Sequence, residues 1–506
     1  MRQLILRQEE CSGKGFIISI LRHGNGGCND LNITMSECIR VFEFHNLSQE
    51  YTDMAVESAF SEYNPYLWTN YRILAVDLGY GTDTIGPSIL ERKTMDYCSY
   101  NSNISEGKNY ARLTPDSCRA DKYTLLTDGQ GQGVVRLGVK AAEDGLAQQI
   151  IDGVQGKSDS INGVEIVAVE ELADSGDQAL TQAKAELEEK KRIAAEDDNP
   201  DTNPSDYPEP GHVEDDPLDA FKAIRESFSK GVVSQVVSKD GLSEASIDED
   251  TMPSHRKLHS GNQEIESGNA IVDKALFIDY LMTNYSYYGY DLKHDGLKYE
   301  VEYLISGKES DVESLARVVE ELMVIREAAN YTTIVNNSSL SSQAGAIAEI
   351  LAGFTMNTAI IEAVKYAIIG AWAYIESILD IRLLLSGGKI PVVKNIDQWT
   401  SDVWHLSSVF DINTKAKACE NGMSYKDYLI GFLTLHANTT LAMRACDVME
   451  NALNSTEDYK SVKVDNMVIA ADISINYSGS EMFLSLLSAP SNETGYSFKK
   501  NKLIAY

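Results

Sequence analysis

The sequence predicts an α+β fold, with helices packed on a small antiparallel sheet. Two observations carry this. Several long segments repeat apolar residues at helical spacing, and short β-rich runs lie near residues 71–77, 299–305, 467–475 and 496–506, the first three stopped by nearby glycine or asparagine. With 43% hydrophobic residues in 506, the chain has enough apolar surface for more than one core.

Taken in order, residues 36–63 carry Ile39, Phe42, Met54, Ala55, Ala59 and Phe60 at helical spacing, and Pro65 closes the pattern. Tyr71 to Asp77 reads as a strand stopped by Gly79-Tyr80-Gly81. A second strand, Tyr123 to Leu126, turns through Asp128 to Gly133 into a helix over Val134 to Gly153. An Ala/Glu/Lys-rich helix follows from about residue 175 to Glu196.

Composition then changes. Between Glu196 and Pro217, Pro200, Pro204, Pro208, Pro210 and Pro217 alternate with acidic residues, and Lys and Arg are absent. So little apolar surface cannot offset the entropy of ordering, which predicts a solvated linker; Ser238 to Asn262 reads the same way. Beyond it come a helix through Ala270 to Leu281, a strand at Tyr299 to Ile305 and a helix over Asp311 to Ala329. Asn357 to Leu385 is predicted as a core helix, because at about 100° per residue Glu362, Lys365, Glu376 and Asp380 fall in one sector of roughly 60° and would form a single wet stripe. A helix over Tyr425 to Leu453 and strands at Met467 to Ile475 and Tyr496 to Tyr506 complete the chain.

These boundaries divide the chain into an anchor-like segment (1–35), an N-terminal α/β region (36–195), the acidic linker (196–267, with a short structured piece near 218–237) and a C-terminal α+β domain (268–506). With 76 acidic residues against 44 basic ones, the net charge of -32 repels nucleic acid and anionic lipid, so no nucleic-acid partner is expected. The seven cysteines contain no C-x-x-C. Cys98 and Cys118 form a close pair that an oxidising compartment would allow to bridge; free buried thiols are the expectation.

Each constellation that could carry chemistry has a plainer reading. Asp128-Gly129-Gln130-Gly131-Gln132-Gly133 offers backbone amides to a phosphate but lacks the third spaced glycine, so a turn into the helix is expected. Asp77-Leu78-Gly79-Tyr80-Gly81-Thr82 follows a strand as a D-x-S-x-S cation site would, yet the glycines bring no hydroxyls and fit a tight turn. Ser386-Gly387-Gly388-Lys389 matches S-x-x-K, but glycines between serine and lysine end the helix, predicting a C-cap. His255 and His259 are four apart without the glutamate of H-E-x-x-H. The carboxylates from Asp197 to Asp216 lack the order of a calcium loop. Asp402 near Trp399 and Trp404 reads as a turn capping the next helix through Ser401 or Asp402. No catalytic residue, cofactor or metal site is assigned.

The run "SECIRVFEFHNLSQEYTDMAVESAFSEYNPYLWTNYRILAVDLGYGT" (Ser36 to Thr82), with "ALFIDYLMTNYSYYG", "GLKYEVEYLISGKESDVESLARVVEELMVIREAANYTTI", "EAVKYAIIGAWAYIESILDIRLLLSGGKIPVVK", "WTSD", "GMSYKDYL" and "MRACDVME", resembles an uncharacterised Firmicutes family encoded beside Tad-type pilus genes. The resemblance covers most of 36–160 and 268–506 and omits the linker. It implies one N-terminal transmembrane helix, extracytoplasmic folded parts, and protein partners in a pilus or secretion apparatus with TadE/TadG-like pseudopilins. It implies no reaction.

In that family the positions of Ile17 to Met35 are an unbroken apolar helix. Here the apolar run Gly15 to Leu21 breaks at Arg22-His23-Gly24-Asn25-Gly26-Gly27-Cys28-Asn29-Asp30. Read one nucleotide later, the codons for His23 to Asp30 are biased toward Met, Val and Ala, so a compensated frameshift is expected to account for the break. As written the segment lacks the ~20 apolar residues of a span, and this chain is expected to behave as soluble. The functional expectation is a non-enzymatic, membrane-anchored extracytoplasmic component; the alternative is a cell-wall-acting enzyme or carbohydrate-binding module, which convergent acidic and aromatic residues in one pocket would favour.

Overall fold

The computed structural model describes residues 28–103, 109–142, 147–196, 203–229, 231–238, 241–263, 270–483 and 495–506. In chain order its main elements are α1 (Cys28–Phe60), α2 (Pro65–Tyr71), β1 (Val76–Asp77), α3 (Ser88–Asn101), β2 (Thr114–Leu125), α4 (Asp128–Ala142), α5 (Ala147–Asn162), α6 (Val169–Glu196), α7 (Pro217–Ser229) and α8 (Val233–Val236). There follow α9 (Ala270–Asn284), α10 (Glu300–Ser306), α11 (Asp311–Asn336), α12 (Ser338–Ala352), α13 (Thr358–Leu385), β3 (Lys389–Ile390), β4 (Met423–Ser424), α14 (Tyr425–Leu435), α15 (Asn438–Ser455), β5 (Met467–Ser480) and β6 (Gly495–Ala505). The class is α+β, as the sequence predicts.

Two compact units form, and they do not coincide with the boundaries read from composition. One gathers residues 1–141, 250–268 and 445–506; the other gathers 142–249 and 269–444. The reason is strand pairing across the chain, which periodicity cannot encode. In the first unit β5 is the central strand: β2 runs antiparallel along one side (Thr114 opposite Ser478, Cys118 opposite Ile475), while β1 and then β6 pair along the other. α1 lies on this sheet through Phe44, Tyr51, Ala55, Val56 and Phe60, all buried. Gly479 makes room for Phe44, since a Cβ there would sit 2.7 Å from the ring. Near its start, buried Arg40 donates to the carbonyls of Ala111 (3.1 Å) and Ser480 (2.6 Å) and pairs with Glu37 at 2.7 Å.

In the second unit α13 is the axis, buried almost continuously from Val364 to Leu385. α6 packs against it antiparallel through small residues. A Cβ on Gly176 would lie 2.4 Å from Ala367 Cβ, and one on Gly370 would lie 2.9 Å from the Val169 carbonyl oxygen.

Several expectations are corrected. Pro65 does not merely end a helix; it begins α2, capped by Asn64, whose side chain accepts from Leu67 N. Only Val76–Asp77 of the expected 71–77 strand is extended. The expected strand Tyr299 to Ile305 is the helix α10, ended by Gly307 at φ 64°. All its residues from Glu300 to Ile305 are buried, so no wet face marked a helical period. Helices α14 and α15 replace one long helix, broken at His436.

The stretch Ser238 to Asn262, expected to be solvated, is packed where described: Ile247 and Met252 are buried and Arg256 and His259 are held by acidic partners. Several of its polar side chains are paired with groups of the fold, which composition does not distinguish from hydration. Within the acidic segment, residues 197–202 lie outside the described residues, Gly211 N donates to Ile350 O at 3.1 Å and Val213 is buried. The structured piece near 218–237 corresponds to α7 and α8. The anchor-like segment lies outside the described residues up to position 27, and Cys28 to Asp30 already belong to α1. Among the described residues no helix is long and apolar enough to cross a membrane.

Candidate functional site

Two places concentrate polar chemistry, one in each unit. In the second unit the stripe expected to be wet divides. Glu362 is exposed, whereas Glu376 and Asp380 are 0% exposed. Asp380 lies 2.8 Å from Arg326 Nη2 and 2.5 Å from Lys394 Nζ, and accepts from Asn330 at 2.9 Å. Glu376 pairs with Lys394 and accepts from the amides of Thr400 (3.1 Å) and Ser401 (2.8 Å). Arg326 also donates to the carbonyls of Pro391 (2.9 Å) and Val392 (2.8 Å). Two cations and two anions thus balance one another inside the fold, and they tie α11, α13 and the segment after β3 together. The cluster is a structural lock. Every charge is spent on another, which leaves none to act on a substrate.

In the first unit, a groove lies where β1 turns out of the sheet. Asp77 accepts from Gly79 N at 2.9 Å and Gly81 N at 2.7 Å, the tight turn its glycines suggest. On one side of this turn a cavity of about 250 Å³ is lined by Glu62, Tyr63, Tyr80, Asp458 and Tyr459. On the other a cavity of about 300 Å³ is lined by Thr82, Arg256, Lys257, His259, Ser461 and Lys463. Glu62 accepts the Tyr97 hydroxyl and lies 3.4 Å from Lys93, whose ammonium sits 5.0 Å over the Tyr80 ring. Burial, reinforced by the Glu62 charge and hydrogen bond, raises the Tyr80 pKa and keeps the phenol protonated.

The second cavity is bordered by an ionic knot. Arg256 forks onto Glu450 (2.7 Å) and Asp465 (2.6 Å), and Lys463 adds a contact to Glu450 at 3.2 Å. Asp465 holds His259 through both its backbone N (3.0 Å) and Nδ1 (2.9 Å). Against the penalty of burial, these donors bring the Asp465 pKa below its ordinary value.

His255 and His259 do not share a site: His255 Nδ1 meets Ser254 Oγ at 2.8 Å, whose hydroxyl donates to Asp447. Among the described residues no group of three or more His, Cys, Asp or Glu is placed to hold a metal. The glycine turn after β2 runs left-handed at Gly129, Gln130 and Gly131. Its Asp128 carboxylate accepts from Leu125 N (2.7 Å) and Gly261 N (3.0 Å), so an anion of the protein occupies amides near this turn. Ser386 is the C-cap of α13, and Gly387 follows at φ 88°. Asp402 does not cap a helix; it accepts from Trp404 N at 3.0 Å in a local turn, while Ser401 accepts the Trp372 indole N–H at 2.8 Å. Cys98 and Cys118 are free thiols, pushed up to about 11 and about 12, mainly by burial.

The groove's residues were missed in sequence because Glu62 and Tyr459 are far apart in the chain. Only Glu62-Tyr63-Asn64-Pro65-Tyr66 and Glu457-Asp458-Tyr459, short acidic-aromatic runs beside turn residues, could have flagged them.

A family model, described as a family of unknown function (DUF5702), matches residues 209–479. The match includes residues 209–267, which the sequence resemblance omits, and does not include 36–160, most of which it covers. No curated protein and no solved structure matches the chain.

Proposed function

We propose, from the premise that the chain belongs to the DUF5702 family of unknown function, that it is a non-enzymatic, membrane-anchored extracytoplasmic component of a Tad-type pilus or secretion assembly. The supporting observation is the first half of α1. Met35, Ile39 and Phe42 are 55%, 58% and 60% exposed, although their spacing of four and three puts them on one helical face. Large apolar side chains in a row on one exposed helix face call for a cover. The bilayer is the cover in this reading, since α1 follows the apolar run Phe16 to Leu21 in the chain. From Phe44 onward the same helix turns its apolar residues onto the sheet, so in this reading the face of Met35, Ile39 and Phe42 meets lipid while Glu37, Arg40 and the rest of the helix hold the folded unit.

The test begins with the nucleotide sequence across codons 15 to 41. A chain with an unbroken apolar run there should sediment with membranes and resist carbonate extraction, and a photo-crosslinker at Ile39 should label lipid. A soluble restored chain, or an Ile39 probe that never labels lipid, would refute the anchor. Deleting the gene should impair pilus assembly or secretion in cells that carry it; unchanged piliation and secretion would refute the association.

A further inference from the structure

The smaller cavity of the groove joins three phenols to three acidic side chains within one compact unit. Tyr459 is propped against Tyr66 with ring centroids 5.9 Å apart, and Tyr63 packs edge-on against Trp68 at 6.4 Å. Rings fixed by neighbours lose little entropy when a ligand stacks on them. Tyr80 has one ring face taken by Lys93 and its hydroxyl buried, so it serves as a wall of the cavity. Glu62 and Asp458 bring hydrogen-bond acceptors, and the acidic lining disfavours anionic ligands.

We infer that this cavity is a binding subsite for neutral saccharides, hexose or N-acetylhexosamine units of an oligosaccharide. Sugar rings present apolar C–H faces to aromatic rings and hydroxyl donors to carboxylates, which is the combination the cavity supplies. Asp77 has its oxygens on Gly79 N and Gly81 N, and Glu62 accepts from Tyr97 and Lys93 through Oε1, so both carboxylates are held in place. This inference is independent of the proposed anchor, because it concerns a site that needs no membrane.

The experiment is titration calorimetry on the full chain with three probes: the trimer of N-acetylglucosamine, maltotriose and cellotriose. At least one should bind, and Tyr459→Ala and Tyr63→Ala should each weaken it by tenfold or more. Tyr459→Phe and Tyr63→Phe should stay within about threefold of the native chain, since the stacking face remains. His259→Ala, in the neighbouring cavity, should leave binding unchanged. Circular dichroism of each variant shows whether it is folded, and the Phe variants decide the matter should an Ala variant unfold. No binding of any probe at millimolar concentration overturns the inference. So does binding that survives both folded Ala variants, or binding of oligolysine that outcompetes every sugar.

Discussion

Replacing Asp380 with alanine tests the reading of the buried lock. The carboxylate is 0% exposed and faces Arg326 Nη2 at 2.8 Å, Arg326 Nε at 3.0 Å and Lys394 Nζ at 2.5 Å. Its loss turns a neutral set of four charges into one with a surplus cation sealed from water. Breaking a buried pair in this way costs about 3 to 5 kcal/mol. Exposed Glu362, on the same helix, should change stability by less than about 1 kcal/mol when made alanine. Guanidinium titrations followed by tryptophan fluorescence suit the measurement, because Trp372 and Trp399 pack edge-to-face at 5.5 Å beside the lock. The double variant Arg326→Met with Asp380→Leu should recover part of the loss by removing the stranded charge with its partner. A loss below about 1 kcal/mol for Asp380→Ala would refute the reasoning and return the whole stripe to solvent.

Burial pushes the Glu302 carboxyl up to about 7, against donors from Tyr425 and the Tyr288 amide, so its protonated form stabilises the fold. That contribution is full below pH ~4.5 and is lost as pH rises through about 7; Glu302→Gln should therefore remove a stability loss of about 3 kcal/mol between those values, seen as a flatter unfolding midpoint against pH. Glu327, pushed up to about 8 by burial and the nearby Glu170 charge, should behave alike with its window extended to about 8, and an unchanged pH slope in Glu327→Gln would refute this. Gly176→Leu should force α6 from α13 and cost about 1 to 3 kcal/mol or more by thermal unfolding, because even a Cβ would sit 2.5 Å from the Ala363 carbonyl oxygen. Arg256→Ala leaves Glu450 and Asp465 buried without their shared cation and should cost about 3 kcal/mol or more; a loss near zero would mean Lys463 alone balances both.

The helices were legible because helix-favouring composition and amphipathic spacing are written locally: α13 lies where its spacing puts it, and α6 and α11 contain the expected spans and extend them to Val169 and Asn336. α10 was not, since a segment buried on every side carries no period. Strands β5 and β6 could be recognised, and of β2 only its end from Tyr123, but not that β5 stands between the others, because pairing partners over three hundred residues apart leave no local trace. The burial of Glu376 and Asp380 was hidden for a related reason: helical geometry puts them on one stripe, and only the fold brings Arg326 and Lys394 to meet them. The groove was partly visible, through the Asp77 turn, while its tyrosines and Glu62 were not.

The position of β5 also sets an order of events. The strand that pairs with every other strand of its sheet is translated after β1, β2 and all of the second unit. Until residues 467–480 exist, β1 and β2 lack the strand they pair with, and α1 has α3 to pack on but not the sheet. Unit two draws its residues from 142–249 and 269–444 and can assemble while the first unit still waits. A chain delivered in this order keeps its earliest helix and strands open to chaperones for the longest time, so interruption of synthesis before residue 467 should strand the first unit unfolded while leaving the second whole.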